Sequence, residues 1–550
     1  MARLLLEARN IFKAYALRTV LDIKSFELYD GERVGLVGEN GAGKSTFIKI
    51  LSGQLEPDSG AVIRHAPLHV IAQQGDFTDD DFDPALRSEF SALDSRDGLS
   101  GGEKTRRRIA GALSGRGGIL LADEPTTDLD AHGVERLERR LREFDGALIL
   151  ISHDRALLDS LCDRIIQLED GKLTSFPGNY TAYRRELENR REHQQFLYDK
   201  YRAEEKRIKG MIQHEYEHAQ QKSHLPSRMG NSEARLHKRE TTVVQGKIHQ
   251  TRKMFESRLN QLEKVDRPRE DPSIAMKLGA ATPVTSKIAL EIRSLSLRAG
   301  SVFLLEGASM RLPVGSRTAL LGDNGCGKTT LLTRIAKEKH NPAIRISPGV
   351  KTGWFDQDHA NTLDREKTAL ENAMRMSVFP ESVVRTILAR LNMRGEDVFK
   401  PLSVLSGGEL AKVALASLFA ADINLLILDE PTNHLDIFTL EALQGVLREY
   451  AGTLLFVSHD RRFVADVADR LVFFENRKLV TFEGSMDAYR ASLTADRSRD
   501  DLQLEITRLQ MRLATIAARM SAPKKGDSPE KLNAEYEETL KELNELKKRL

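Results

Sequence analysis

The sequence predicts an α/β chain in which one domain occurs twice, with a long helical hairpin between the copies and a shorter one after them. Three observations predict it. A glycine-rich run, Gly38-Glu39-Asn40-Gly41-Ala42-Gly43-Lys44-Ser45, returns as Gly322-Asp323-Asn324-Gly325-Cys326-Gly327-Lys328-Thr329, 284 positions later. Short apolar segments ending in polar clusters recur at matching places in both halves, as strands buried on both faces of a parallel sheet do. Between the halves, residues 187–267 are polar and short of Gly and Pro apart from one break, reading as helix, tip and helix.

Taken in order, the start reads as a first strand. Arg3 and Glu7 flank only three apolar residues, unlike a signal peptide. With 550 residues the chain has length for three or more domains, divided by the repeat into 1–186, 187–285, 286–494 and 495–550. Net charge is +2 with 30% charged residues, so the chain as a whole is not a basic polyanion binder. The excess is local: residues 201–255 hold twelve Lys/Arg against six Glu and no Asp, which suits a polyanion partner. The alternative is a solvated helix face. Cys162 and Cys326 have neither disulfide nor zinc spacing. No segment approaches the roughly 18 apolar residues of a membrane span, and a soluble cytoplasmic protein is expected.

In each half a short strand (Val34-Gly35-Leu36-Val37; Thr318-Ala319-Leu320-Leu321) leads into the glycine-rich run, which opens a helix. That context makes it a P-loop. Its backbone N–H groups and helix N-terminus suit phosphates, with Thr46 and Thr330 next in line. Lys44 and Lys328 would reach the β- and γ-phosphates, and Ser45 and Thr329 would place a hydroxyl on Mg²⁺. Ile119-Leu120-Leu121-Ala122 and Leu425-Leu426-Ile427-Leu428 end in Asp123-Glu124 and Asp429-Glu430. The Asp would hold the Mg²⁺ shell and the Glu would orient or polarise the attacking water. His153 and His459 follow further apolar strands, at the carboxyl edge where open α/β sheets bind ligands.

Gln73 and Gln357 keep the 284-residue offset. Leu99-Ser100-Gly101-Gly102-Glu103 and Leu405-Ser406-Gly407-Gly408-Glu409 stand at 306, as do the acidic pairs and histidines, so the second half carries 22 extra residues between its glutamine and its Ser-Gly-Gly run.

P-loop, glutamine, Leu-Ser-Gly-Gly-Glu, Asp-Glu-Pro-Thr and Ser-His-Asp, in that order and twice, resemble the nucleotide-binding domains of ATP-binding cassette (ABC) proteins. The resemblance implies two tandem P-loop ABC ATPase domains that pair head to tail, each ATP lying between one P-loop and the other signature. Site one would then use residues 38–46, Gln73, Asp123, Glu124 and His153, closed by Ser406, Gly407, Gly408 and Glu409. Site two would use residues 322–330, Gln357, Asp429, Glu430 and His459, closed by Ser100, Gly101, Gly102 and Glu103. Glu124, Glu430, His153 and His459 would be catalytic. Ser45, Gln73, Asp123, Thr329, Gln357 and Asp429 would serve Mg²⁺. Tyr15 matches the aromatic that stacks on adenine. The second half has Leu297-Arg298-Ala299-Gly300 there, leaving Phe303 as the nearby substitute. It also reads Pro431-Thr432-Asn433-His434-Leu435-Asp436 where the first reads Pro125-Thr126-Thr127-Asp128-Leu129-Asp130, so the two sites are not expected to be equivalent.

Tandem cassettes, no membrane span and a helical linker are together similar to the F subfamily (ABC-F), whose members act on ribosomes. The resemblance implies a monomer with intramolecular cassette pairing whose partner is the bacterial 70S ribosome, with 23S rRNA and P-site tRNA in reach, and neither a membrane partner nor DNA. The linker would enter the ribosomal exit site and point Leu225-Pro226-Ser227-Arg228-Met229 toward the peptidyl-transferase centre. Residues 228–238 and the short gap between Gln73 and Leu99 are similar to members that protect ribosomes from antibiotics. The alternatives are a general translation factor and, against the evidence of the linker, a transporter ATPase. A DNA-repair ATPase of this class brings zinc-binding cysteines, which this sequence lacks. Apolar residues from Leu502 to Ile516 and from Leu532 to Leu550, around a Pro/Gly/Lys break, predict a C-terminal helical hairpin.

Overall fold

The computed structural model describes residues 3–15, 18–72, 83–90, 101–115, 117–127, 129–221, 249–266, 284–338, 341–356, 362–433, 435–521 and 528–547. Gln73, Gln357, Ser100 and the tip residues Leu225, Pro226, Ser227, Arg228 and Met229 lie outside the described residues.

The first half opens with β1 (Leu4–Tyr15) and β2 (Arg18–Tyr29), an antiparallel hairpin. β3 (Arg33–Val37) leads into α1 (Lys44–Ser52), and β4 (Ser59–Arg64) returns to pair with β1. Then come β5 (Leu68–Ile71), α2 (Pro84–Glu89), α3 (Gly101–Ser114), β6 (Ile119–Asp123) and α4 (Ala131–Glu143). β7 (Ala147–Ile151), α5 (Arg155–Leu161), β8 (Arg164–Glu169) and β9 (Lys172–Pro177) complete the cassette. The larger sheet is ordered β5-β6-β7-β3-β8-β9, parallel except for its last pair. Every residue of β6 and β7 is buried, because helices cover both faces of a parallel sheet. The order sets the P-loop after β3, the acidic pair after β6 and His153 after β7 at one carboxyl edge.

The linker supplies α6 (Tyr180–Gln221) and α7 (residues 249–261). α6 begins upstream of residue 187, where its Asn179 side chain accepts from the Ala182 amide (3.1 Å) as a helix cap. Tyr180 and Tyr183 are fully buried in the first cassette's core, so the helix is rooted there. Arg258 reaches Glu204 (3.2 Å) and Gln194 reaches the Asp266 carbonyl (3.5 Å), an antiparallel register for the two arms.

The second half repeats the plan with β10 (Ile288–Ala299), β11 (Val302–Pro313), β12 (Arg317–Leu321), α8 (Lys328–Lys337), β13 (Ile344–Ile346) and β14 (Thr352–Phe355). α9 (Ala369–Met374) stands where α2 does in the first half, and the extra residues add α10 (Glu381–Arg390), whose Val384, Ile387 and Leu388 pack on α11 (Gly407–Ala420). β15 (Leu425–Asp429), α12 (Ile437–Glu449), β16 (Thr453–Val457), α13 (Arg461–Val467), β17 (Arg470–Glu475) and β18 (Lys478–Glu483) follow. The sheet order β14-β15-β16-β12-β17-β18 reproduces that of the first cassette. α14 (Met486–Ser521) and α15 (Pro529–Lys547) form the C-terminal hairpin, closed by Ile506, Leu513 and Leu543. Among the described residues no helix is long and apolar enough to cross a membrane.

Candidate active site

Each P-loop is shaped by a glycine that no other residue replaces without strain. Gly43 and Gly327 precede α1 and α8 at φ 104° and 108°. A Cβ there would lie 2.6 Å from Val20 and 2.9 Å from Leu304. The loop lysines are folded back on their own backbone. Lys44 Nζ donates to the carbonyls of Gly38 (2.7 Å) and Glu39 (3.0 Å), and Lys328 Nζ to those of Gly322 (2.7 Å) and Asp323 (2.9 Å). Burial pushes the Lys44 ammonium down, against the opposing pull of Glu124 and Asp436.

Behind each loop stands a carboxylate pair. Burial raises Asp123 despite the Ser45 hydroxyl beside it, and Asp429 likewise despite Thr329. Neither oxygen of Asp429 makes a hydrogen bond of normal geometry among the described residues, and Asp123 Oδ1 has none. Buried carboxylate oxygens without donors, next to a P-loop hydroxyl, fit a hard divalent cation such as Mg²⁺.

Glu124 and Glu430 hold left-handed backbone, φ 51° and 49°, and each side chain lies against a histidine. His153 Nε2 lies 3.1 Å from Glu124 Oε1, and His459 Nε2 lies 3.2 Å from Glu430 Oε1. The histidine amides complete each dyad by donating to the other carboxylate oxygen, at 3.4 and 3.3 Å. Burial, and then the neighbouring Asp123, pushes Glu124 up to about 8. Burial and Asp429 do the same to Glu430, also to about 8. Burial and then Lys328 push His459 down to about 4, against Asp130 of the first cassette. A carboxyl titrating near neutrality beside an imidazole suits the taking of a proton from water.

The two halves meet at these sites. Asp436, 1% exposed, caps α12 at the Thr439 amide (2.8 Å) and accepts from the Asn40 amide of the first P-loop (3.4 Å). Burial alone would raise its carboxyl. Lys412 of α11, 3.6 Å away, and the Thr439 cap hold it below the usual range instead. Arg18, which donates to the Gly41 carbonyl (3.3 Å), lies within electrostatic reach of Lys400, and Lys400 in turn senses Glu409. Ser406 and Glu409 are joined in a capping box at the start of α11. The motif reading singled out neither Lys412 nor the intercassette role of Asp436. The recurrence of a Leu-Asp pair, Leu129-Asp130 and Leu435-Asp436, at the 306-residue offset was the available signal.

Tyr15 lines an open cavity of about 330 Å³ with Asn40, Lys44, Asp123, Glu124 and His153. Phe303 does not take its place in the second cassette. Tyr15 pairs with Arg18 across the first hairpin, and Ala299 with Val302 across the second. Phe303 is one residue on and so faces the other side of the strand, under the Arg298 guanidinium at 3.6 Å.

Residues 21–83 and 305–433 match the family model described as ABC transporter. The chain is 35% identical over 465 residues to the erythromycin resistance ATP-binding protein MsrA of Staphylococcus epidermidis, spanning 82% of this chain and 93% of that one. It is 30% identical over 542 residues to the ribosome protection protein VmlR of Bacillus subtilis, spanning 97% and 95%. Against ABC transporter F family member 5 of Arabidopsis thaliana the identity is 29%, over 87% and 76%. The chain belongs to the F subfamily of ATP-binding cassette proteins. As an ABC-F protein it binds and hydrolyses ATP. The tandem fold is shared with an archaeal ribosome recycling factor, aABCE1, solved in complex with the stalk protein aP1. The TM-score is 0.58 at 21% identity, over 88% of this chain and 92% of that one.

Proposed function

We propose that this ABC-F ATPase protects the bacterial 70S ribosome from antibiotics that act around the peptidyl-transferase centre and exit tunnel. One observation carries the reading: the match to a ribosome protection protein spans 97% of the chain, linker and C-terminal extension included. The erythromycin resistance relative supports the same class of drug target. A linker rooted in the first cassette, 42 residues long in its first arm and about 60 Å in reach, suits a probe into a deep site.

ATP closes the two cassettes, with Lys44 and Lys328 leaving their carbonyl partners for phosphate. The signature runs beginning at Ser406 and Ser100 cap the bound nucleotides from the opposite cassette. Ser45, Asp123 and Gln73 in site one, and Thr329, Asp429 and Gln357 in site two, would hold Mg²⁺, which would supply neutralisation of the phosphate charge. Glu124 and Glu430 accept the proton of the attacking water, and His153 and His459 orient them. Closure directs the tip, Leu225 to Met229, through the exit site toward 23S rRNA and P-site tRNA, displacing drug. Hydrolysis then releases the protein, which acts as a cytoplasmic monomer without membrane partner.

The test is growth of a susceptible bacterium expressing the chain against a panel of large-subunit inhibitors. Raised tolerance to one chemical group, lost on deletion of residues 225–229, is expected. Unchanged susceptibility with ribosome binding intact would replace this reading with that of a general translation factor.

A further inference from the structure

We propose that Glu441 and Asp159 are positioning residues that couple closure of the first ATP site, and not the second, to the direction of the linker helix α6. The ties all run from the second cassette to a helix that grows out of the first. Glu441 lies on α12, five residues after the Asp436 that receives the Asn40 amide of the first P-loop. Its carboxylate accepts from the Tyr180 hydroxyl (2.9 Å) and from Arg184 (2.9 Å), both on the first turns of α6. Arg155 follows His153 by two residues and is 3% exposed. It donates to Gln444 (2.8 Å) and lies 3.9 Å from Glu441.

A second tie is independent of the first. Arg462 of α13 pairs with Asp159 (3.2 Å), and the same carboxylate holds the start of α6 through the Thr181 amide (2.6 Å) and hydroxyl (2.7 Å). Movement of the second cassette that seats Asp436 on the first P-loop therefore carries the base of α6 with it. At about 1.5 Å rise per residue, a turn of about 5° at the base moves the far end of this helix by about 5 Å.

The repeat supplies the control. At the 306-residue offset, Met486 stands for Tyr180, Ala465 for Asp159 and Ala156 for Arg462. Glu441 is matched by Glu135, whose side chain is 62% exposed and faces His132 of its own helix at 3.8 Å. The cassette contact of Arg155 with Gln444 is mirrored by Arg461 and Glu138 (3.6 Å), but the Tyr180 hydroxyl and the Arg462–Asp159 pair have no counterpart by which the first cassette would steer α14, which occupies the place of α6 in the second. The linker reads one site.

Pulsed spin-label distances on the full-length chain test this without ribosomes, so the outcome is independent of the ribosome reading. The background carries Glu124→Gln, Glu430→Gln, Cys162→Ala and Cys326→Ala, the last matching Ala42 of the first cassette. Labels at Lys24 and Lys209 report the linker, and labels at Lys24 and Glu366 report cassette closure. ATP with Mg²⁺ should shift both distances. Glu441→Ala, and the nearly isosteric Tyr180→Phe, should cut the linker shift at least twofold while closure persists, and Glu135→Ala should leave both intact. An undiminished linker shift in Glu441→Ala and Tyr180→Phe, or an equal loss in Glu135→Ala, overturns the proposal. So does loss of closure in Tyr180→Phe, because the residues would then hold the cassettes together rather than steer the linker.

Discussion

Glu430 and His459 are pushed in opposite directions by the same burial, and this gives the nucleotide-free protein a distinctive pH dependence. Glu430 is raised from 4.5 to about 8, so its contribution to stability is full below its unfolded value and is lost as pH rises through about 8. His459 is lowered from 6.5 to about 4, so its contribution is full above 6.5 and is lost as pH falls through about 4. Between about 4.5 and 6.5 the two effects oppose each other. Above 6.5 the His459 contribution is complete and the glutamates remain, Glu124 adding to Glu430 with the same sign. Thermal melting of the apo protein should therefore fall between pH 6.5 and 8.5. Glu124→Gln with Glu430→Gln should flatten that slope, because the amide does not ionise. Parallel melting curves for the variant and the parent would refute the assignment of neutral, buried carboxyls at these positions.

Elements differ in how far they could be read from the chain. The strands and P-loops were legible because a strand buried on both faces admits only apolar residues, and a loop at φ near 105° before a helix admits only glycine. The start of α6 was not, because Tyr180, Thr181 and Tyr183 are weak helix formers and burial in the first cassette outweighs their propensity. Asn179, a good cap, was the overlooked signal. The contacts of Asp436 and Glu441 join residues hundreds of positions apart, and an internal repeat does not say which copy leans on which. Phe303 misled for a local reason: nearness in sequence says nothing of strand face. The C-terminal hairpin closes on a small cluster of its own, with Leu543 4% exposed against Ile506 and Leu513 of α14. Leu543→Ala should cost the pairing of α14 with α15 about 3 kcal/mol. Limited proteolysis should then cut α15 faster while steady-state ATP hydrolysis stays at the parental rate; a parallel loss of hydrolysis would mean that the hairpin also supports the cassettes.

At the scale of the whole molecule, the proposed function joins the cassettes, the linker and the ribosome in one cycle, in which ATP binding would produce the docked state and hydrolysis would end it. A ligand shifts an equilibrium only by its differential affinity for the two states. The docked state should then accumulate wherever ATP binds and is not consumed. Removing a general base costs on the order of 10²-fold or more in rate while leaving the P-loop contacts to phosphate in place. Glu124→Gln with Glu430→Gln should accordingly pellet with 70S ribosomes in ATP and stay in the supernatant in ADP. The parent should pellet weakly in both, because it hydrolyses its way off. Binding that involves the basic linker should also weaken as salt rises, since Lys and Arg on phosphate release counterions. A double variant that hydrolyses ATP at the parental rate would remove the two glutamates from catalysis. One that binds ATP without turnover and never pellets would remove the ribosome from the cycle and leave an ATPase whose linker serves another polyanion.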